Sequence, residues 1–473
     1  LSEIAEARPL RRSAGADLER ALDRACGARA IPGNRVFHLV DGPRAFEAMH
    51  RLIGEARHYV HFENYIIRDD RTGKSFAGDL KDAARRGVAV RVLYDALGCR
   101  GTSRRFWNDL RRAGIEVRPF NPLDPLHPIA SLRRNHRKYV GADGSRAIVG
   151  GLCIGDEWSG DPPRGRMPWR DTAVEVWGPA AWAIDLTFQK LWRQSRGRFP
   201  APLQAPPPAP CGDAVVRVVD GVPGRLRVYR AVELLVASAA HRLWITDAYL
   251  VAPAPLFAGL LAAARDGVDV RLLLPGRTDL PAVRAFTRVG YRELLEAGVR
   301  IWEWRGPMLH AKTAVVDDLW FKVGSSNLNL PSFLSNYELD LLLEDPKLSA
   351  EAALQFRRDL SFATEIVLRP RRVFASLAER LPPAVVAGGA PQEIPSHRPW
   401  MREVSQRAVL TLRQVAGGAR RSIAGAVLFV SAGVGALFLA APRLMGYLAA
   451  FAFFWIGVGA ARQFAARRHQ SNE

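Results

Sequence analysis

The stretch FAGDLKDAARRGVAVRVLYD, Phe76 to Asp95, decides the fold, because the chain repeats it as FAGLLAAARDGVDVRLLLP, Phe257 to Pro275. Each copy opens on apolar residues at helical spacing, meets a glycine (Gly87, Gly267) and continues as an apolar run. That pattern predicts a helix, a stop at a residue free to take positive φ, and a buried strand. Outward from there, ARHYVHFENYII (Ala56 to Ile67) precedes the first copy and AHRLWITDAYL (Ala240 to Leu250) the second. LRRAGIEVRPF (Leu110 to Phe120) and LLEAGVRIWEW (Leu294 to Trp304) follow them. The order strand, helix, strand, helix, strand occurs twice, so the expected architecture is α/β: two pseudo-repeated α/β/α domains.

Proline-rich stretches divide the chain. RFPAPLQAPPPAPCGDA (Arg198 to Ala214) reads as an extended linker between the copies, and LPPAVVAGGAPQEIPSHRP (Leu381 to Pro399) as a flexible one after them. Beyond it, Ile423 to Ala441 and Leu444 to Ala461 are almost wholly apolar, interrupted by Pro442-Arg443. Each run is long enough to cross a hydrocarbon core of roughly 30 Å, so a C-terminal transmembrane helical hairpin is expected. Arg420 and Arg421 before it, and Arg462, Arg467 and Arg468 after it, place both ends in the cytoplasm. The expected organisation is an N-terminal extension (1–34), a first half (35–197), a linker (198–214), a second half (215–380), a juxtamembrane linker (381–421), the hairpin (422–461) and a basic tail (462–473).

With 473 residues, 48% of them hydrophobic, the chain is long enough for two sizeable cores. The net charge of +20 favours anionic partners without choosing among nucleic acid, lipid headgroups and phosphorylated small molecules. Cys26, Cys99, Cys153 and Cys211 are far apart, which excludes a CxxC pair and points away from a disulfide framework or zinc site. Leu1 to Arg12 shows no apolar core of the kind a signal peptide needs.

Each copy ends on one spacing of His, Lys and Asp. The first is HRKYVGAD, with His136, Lys138 and Asp143; the second is HAKTAVVD, with His310, Lys312 and Asp317. If the motif lies on a strand, alternation points His and Lys into one pocket. Small residues follow: Gly150-Gly151 in one copy, Gly324-Ser325-Ser326-Asn327 in the other. They let backbone N–H groups approach a phosphate oxygen, and Ser325 and Asn327 are candidate phosphate-binding residues. Cys153 stands where the second copy has Asn327; a thiol is the poorer donor, so Cys153 is expected to pack. SLRRNHRK (Ser131 to Lys138) fits either headgroup attraction or a solvated loop. MPWRD puts Trp169 and Arg170 near the same mouth. His58, His61 and His241 lack motif context and read as packing or surface residues.

Doubled at matching points of a repeat, HxKxxxxD resembles the phospholipase D superfamily, over roughly Val36 to Arg369. ENYI and the early turns Asp41-Gly42 and Asp220-Gly221 resemble its bacterial cardiolipin synthase branch. The resemblance implies two phospholipase D-like halves sharing one active site, with His136, Lys138, Asp143, His310, Lys312 and Asp317 as signature residues, the two aspartates more architectural than chemical. It implies no metal and no other cofactor. It also implies orienting carboxylates for the imidazoles, Asp171 in WRDTAVEV and Glu338 in SNYELD. Chemically, two ammonium groups neutralise a phosphodiester, one imidazole attacks phosphorus, and the other protonates the leaving alcohol. His136 is expected to be the nucleophile, with Glu338 holding His310 protonated as the acid. The expected activity is phosphatidyl transfer to the headgroup of a second phospholipid, phosphatidylglycerol, to give cardiolipin. The alternatives are hydrolysis as a phospholipase D or, against the hairpin, a nuclease. The expected partners are anionic phospholipids and a membrane rather than nucleic acid, with the body on the cytoplasmic side of the inner membrane.

Overall fold

The helix foreseen in the first copy forms at Arg71–Arg85. Asp70 caps it by accepting from the Gly73 N–H at 2.9 Å, and Phe76, Ala77, Leu80 and Ala83 form its buried stripe. Gly87 ends it at φ 88°; Gly267 does the same at φ 90° after Ala254–Arg265. Both glycines lead into strands, as the repeat requires.

The computed structural model describes residues 7–124, 130–198 and 206–368. The first half supplies β1 (Ile31–Val40), β2 (Tyr59–Asn64), β3 (Ala89–Asp95), β4 (Glu116–Phe120), β5 (Arg134–Asn135), β6 (Tyr139–Ala142), β7 (Arg146–Gly150) and β8 (Thr172–Trp177). The second supplies β9 (Ala214–Gly221), β10 (Arg242–Thr246), β11 (Asp269–Pro275), β12 (Arg300–Trp304), β13 (Thr313–Val316), β14 (Trp320–Gly324), β15 (Asn336–Glu344) and β16 (Ala363–Ile366). One sheet runs β4-β3-β2-β6-β7-β8-β1-β9-β15-β14-β13-β10-β11-β12-β16. Its order reads the same outward in both directions from the β1/β9 pair until β16. In each half the outer strands are parallel and joined by helical crossovers, while the inner ones are antiparallel, so the sheet is mixed.

Helices Pro179–Gln194 and Pro346–Ser361, one from each half, pack on the centre of this sheet. Their core joins Val149, Val174 and Phe188 to Trp244, Leu341 and Phe356, so each half completes the other's interior. Two further cores belong to one half each, apart from Leu22 and Cys26 of helix Ala7–Cys26, which lie in the second half's core. Buried Arg217 ties that helix down through Glu19 and Asp23. Leu18, Leu22 and Cys26 of the segment expected as an N-terminal extension thus pack into the second half. β1 also begins before residue 35, because Pro32 and Gly33 are absorbed in an irregularity of its pairing with β9, with Gly33 at φ 85°.

The hairpin expected at 422–461, its flanking segments and the middle of the proline-rich linker lie outside the described residues. Among the described residues no helix is long and apolar enough to cross a membrane.

Candidate active site

The two HxK segments do not lie on strands. His136 to Lys138 and His310 to Lys312 precede β6 and β13, because the chain there pairs with the opposite half instead. β5 runs parallel to the start of β15, and the His136 N–H donates to the Tyr337 carbonyl at 2.9 Å. Leu309 bridges Arg170 in the same sense, and the His310 N–H donates to the Arg170 carbonyl at 2.7 Å. The residue after each acceptor is a carboxylate: Glu338 after Tyr337, Asp171 after Arg170.

This register crosses the pairs. His136 Nδ1 lies 3.0 Å from Glu338 Oε2, and His310 Nδ1 lies 2.7 Å from Asp171 Oδ2. Each imidazole is thus held by a carboxylate of the other half, and the expected Glu338–His310 pairing is corrected. With Nδ1–H facing a carboxylate, the neutral ring keeps Nε2 unprotonated. Lys138 and Lys312 each donate Nζ to the carbonyl of their own His. Tyr65 and Tyr249 bracket the groups: Lys138 Nζ is 5.2 Å from the Tyr65 ring centre and Lys312 Nζ 5.9 Å from that of Tyr249. The imidazole of His136 lies 4.9 Å from Tyr65, edge-on. Sequence reasoning passed over both tyrosines, although ENYI and DAYL place them at one point of the repeat.

The carboxylates are held in turn. Trp158 Nε1 donates to Asp171 at 3.0 Å, and Thr172 N–H donates to it at 2.8 Å. Ser325 Oγ donates to Glu338 Oε2 at 2.5 Å and accepts from the Leu339 N–H. The hydroxyl proton of Ser325, a residue expected to bind phosphate, is thus engaged by Glu338. Asn327 differs: its side chain is buried, and its Oδ1, an acceptor, has no partner among the described residues. Cys153 packs in the first half's core, and burial raises its thiol pKa.

The motif aspartates stand apart from this chemistry. Asp143 accepts N–H bonds from Arg57, His58 and Tyr59 at 2.8 to 2.9 Å; Asp317 accepts them from Ala240, His241 and Arg242 at 2.8 to 3.1 Å. Both sit at positive φ, at the far ends of β6 and β13. They fasten the start of β2 or β10 to those ends, an architectural place. Asp317→Ala is expected to cost roughly 2–4 kcal/mol of stability, from lost charge-assisted bonds. Denaturant unfolding measures it, while the kcat of the remaining folded enzyme stays near wild type.

SLRRNHRK is mostly spent on structure: Arg134 pairs with Asp95 at 3.3 Å and Arg137 with Asp220, leaving Arg133 exposed. Arg170 bonds Asp359 and Asp41, while Trp169 reaches within 5.9 Å of the His310 ring. His61 is buried against Asp185, 2.6 Å away; His58 and His241 are at the surface.

Burial dominates the electrostatics. It lowers both imidazoles, His310 to about 4 with Lys312 adding and Asp171 opposing. It lowers both lysines, Lys312 to about 8. Burial would raise Glu338 and Asp171, but His136 and His310 respectively, with the lysines, outweigh it and keep both carboxylates ionised. A depressed lysine has a kinetic consequence. As pH rises through about 8, free Lys312 loses its proton, so kcat/KM is expected to fall on that alkaline side. A bound phosphodiester favours the ammonium form, so the limb in kcat lies at higher pH. Equal limbs in the two profiles contradict this.

A doubled His–Lys pair at the meeting point of two repeated halves defines a phospholipase D-type enzyme. The chain belongs to the cardiolipin synthase family: the family model "Cardiolipin synthase, PLD-like domain" matches residues 49–156 and 233–360. It is 34% identical over 334 residues to a cardiolipin synthase of Halalkalibacterium halodurans, covering 69% of this chain and 66% of that one. It is 33% identical over 368 residues to cardiolipin synthase A of Pseudomonas fluorescens, covering 77% and 76%. Phosphatidylserine synthase of Haemophilus influenzae shares the fold at a TM-score of 0.60 and 13% identity, over 74% of this chain and 92% of that chain.

Proposed function

We propose that this chain transfers a phosphatidyl group from one phosphatidylglycerol to the headgroup alcohol of another. His136 Nε2 attacks phosphorus; the bond from phosphorus to the headgroup glycerol breaks, and His310 protonates the departing alkoxide. The headgroup hydroxyl of a second phosphatidylglycerol then gives its proton to His310 and attacks phosphorus, breaking the N–P bond and forming cardiolipin. Lys138, Lys312 and the Asn327 amide steady the phosphate oxygens through both steps.

The observation that carries this reading is the crossed pair of His–carboxylate contacts, each imidazole held by a carboxylate of the other half. Three aromatic rings surround His310, Trp158 at 5.5 Å, Trp169 at 5.9 Å and Tyr249 at 6.1 Å, and once substrate has offset the lysines His310 takes the acid role. His136 has Tyr65 beside it and suits the nucleophile. The apolar runs at 422–461 fit an enzyme held at the cytoplasmic face of the inner membrane, where both substrates reside.

The test is the purified full chain with phosphatidylglycerol vesicles, followed by lipid mass spectrometry in the presence of EDTA. Cardiolipin and free glycerol are the expected products, undiminished by the chelator because ammonium groups supply the positive charge. Phosphatidic acid as the main product makes the enzyme a hydrolase. Full loss with EDTA, restored by one metal, overturns the proposed chemistry.

A further inference from the structure

One helix departs from the repeat. Between β3 and β4 the first half has a single helix, Arg104–Arg112, whereas between β11 and β12 the second half has two, Pro281–Val289 and Tyr291–Glu296. Helix Pro281–Val289 buries none of its residues. Its polar side faces the protein: Thr287 Oγ1 donates to the Leu250 carbonyl at 2.8 Å, and Arg288 Nε and Arg284 Nη2 donate to Glu303 at 2.8 and 3.4 Å. Its apolar side faces outward. Ala282, Ala285, Phe286 and Val289 form one stripe at helical spacing, all exposed, Phe286 by 59% and Val289 by 70%. A helix on a water-facing surface has the opposite orientation.

The helix also borders the site. Thr287 holds the residue after Tyr249, and the Tyr249 hydroxyl donates to Asp279 at 2.7 Å, two residues before the helix. Exposed Leu280 and Val251 continue the apolar surface, with exposed Arg277 before the helix and Arg292 after it. Beyond the cleft, exposed Met167 stands two residues from Trp169, which reaches His310.

We propose that Pro281–Val289 is an interfacial anchor that sinks Phe286 and Val289 into an anionic leaflet and sets the site mouth at headgroup level. The inference rests on membrane phospholipids being the substrate. A narrow apolar stripe preceded by exposed Arg277 matches an anionic lipid surface, with acyl chains for the stripe and headgroups for the cation. A protein seated there would cover the opening through which lipid must pass.

The test uses the full chain carrying an environment-sensitive fluorophore at Phe286→Cys, with phosphatidylglycerol/phosphatidylcholine vesicles containing a lipid-borne quencher. The expected result is a blue shift and quenching on vesicle addition, both absent without lipid. In parallel, Phe286→Ser/Val289→Ser is expected to lose at least about tenfold in kcat/KM on vesicles, since each buried apolar side chain contributes on that order. It keeps its rate on short-chain phosphatidylglycerol below the micellar concentration. A probe that stays in water on vesicles, or is shielded before lipid is added by protein, overturns the anchor. So does an equal loss on vesicles and monomers. If the wild-type chain turns over neither lipid form while the labelled Phe286→Cys chain shows the blue shift and quenching, the anchor stands and the phospholipid reading falls.

Discussion

His136→Ala and His310→Ala each lower turnover by roughly 10³-fold or more while leaving the unfolding transition in place. One imidazole must form the bond to phosphorus and the other must carry the proton, and general acid–base help alone is typically worth about 10²–10⁴-fold. Neither side chain can stand in for the other, because each is fixed at Nδ1 by a different carboxylate, Glu338 for His136 and Asp171 for His310. Both imidazoles sit in loops outside the three cores, so truncation removes chemistry before it removes packing. Turnover on phosphatidylglycerol, read beside thermal unfolding, checks it. A variant that keeps more than about a tenth of the wild-type rate shows that its half is dispensable, given what acid–base catalysis contributes.

Glu338→Gln is expected to cost about 10²–10⁴-fold in kcat, the scale on which an orienting carboxylate matters to an imidazole. The change keeps the side chain's shape, so the loss reports charge and tautomer. A merely structural role leaves the titration of the histidines where it was. Removing the carboxylate removes a group that favours the imidazolium, so the pKa of His136 falls further while that of His310, which faces Asp171, stays. Asp171→Asn gives the converse. Histidine-selective NMR titration of the two variants distinguishes them; Glu338→Gln moving His310 instead contradicts the crossed arrangement.

The parts of this molecule readable from its sequence are those set by local rules. Gly87 and Gly267 punctuate helix and strand because only their neighbours matter to a helix stop. Repetition then converts two local readings into a doubled α/β layer, and doubled HxKxxxxD into one site. Long-range register is what local rules miss. His136 is drawn out of strand pairing by Tyr337, and His310 by Arg170, partners far away in the chain. That same register decides which carboxylate meets which imidazole, so nearness in sequence paired Glu338 with the wrong one. Ser325 looked like a phosphate cradle because it is small, yet its hydroxyl is consumed by Glu338. SLRRNHRK fits either headgroup attraction or a solvated loop, yet Arg134 and Arg137 are paired and buried, with Asp95 and Asp220. Tyr65 and Tyr249 carried a usable signal, a shared place in the repeat, that a motif-centred reading passes over.

The central claim is that two halves make one site with one covalent intermediate. Quench of the enzyme in alkaline denaturant during turnover on phosphate-labelled phosphatidylglycerol, followed by peptide mapping at neutral to alkaline pH, measures it directly. The account predicts one phosphatidyl group per chain, on His136, and none on His310→Ala protein beyond a trace. Label on both His136 and His310 at two per chain, or no trapped label at all while cardiolipin accumulates, contradicts it.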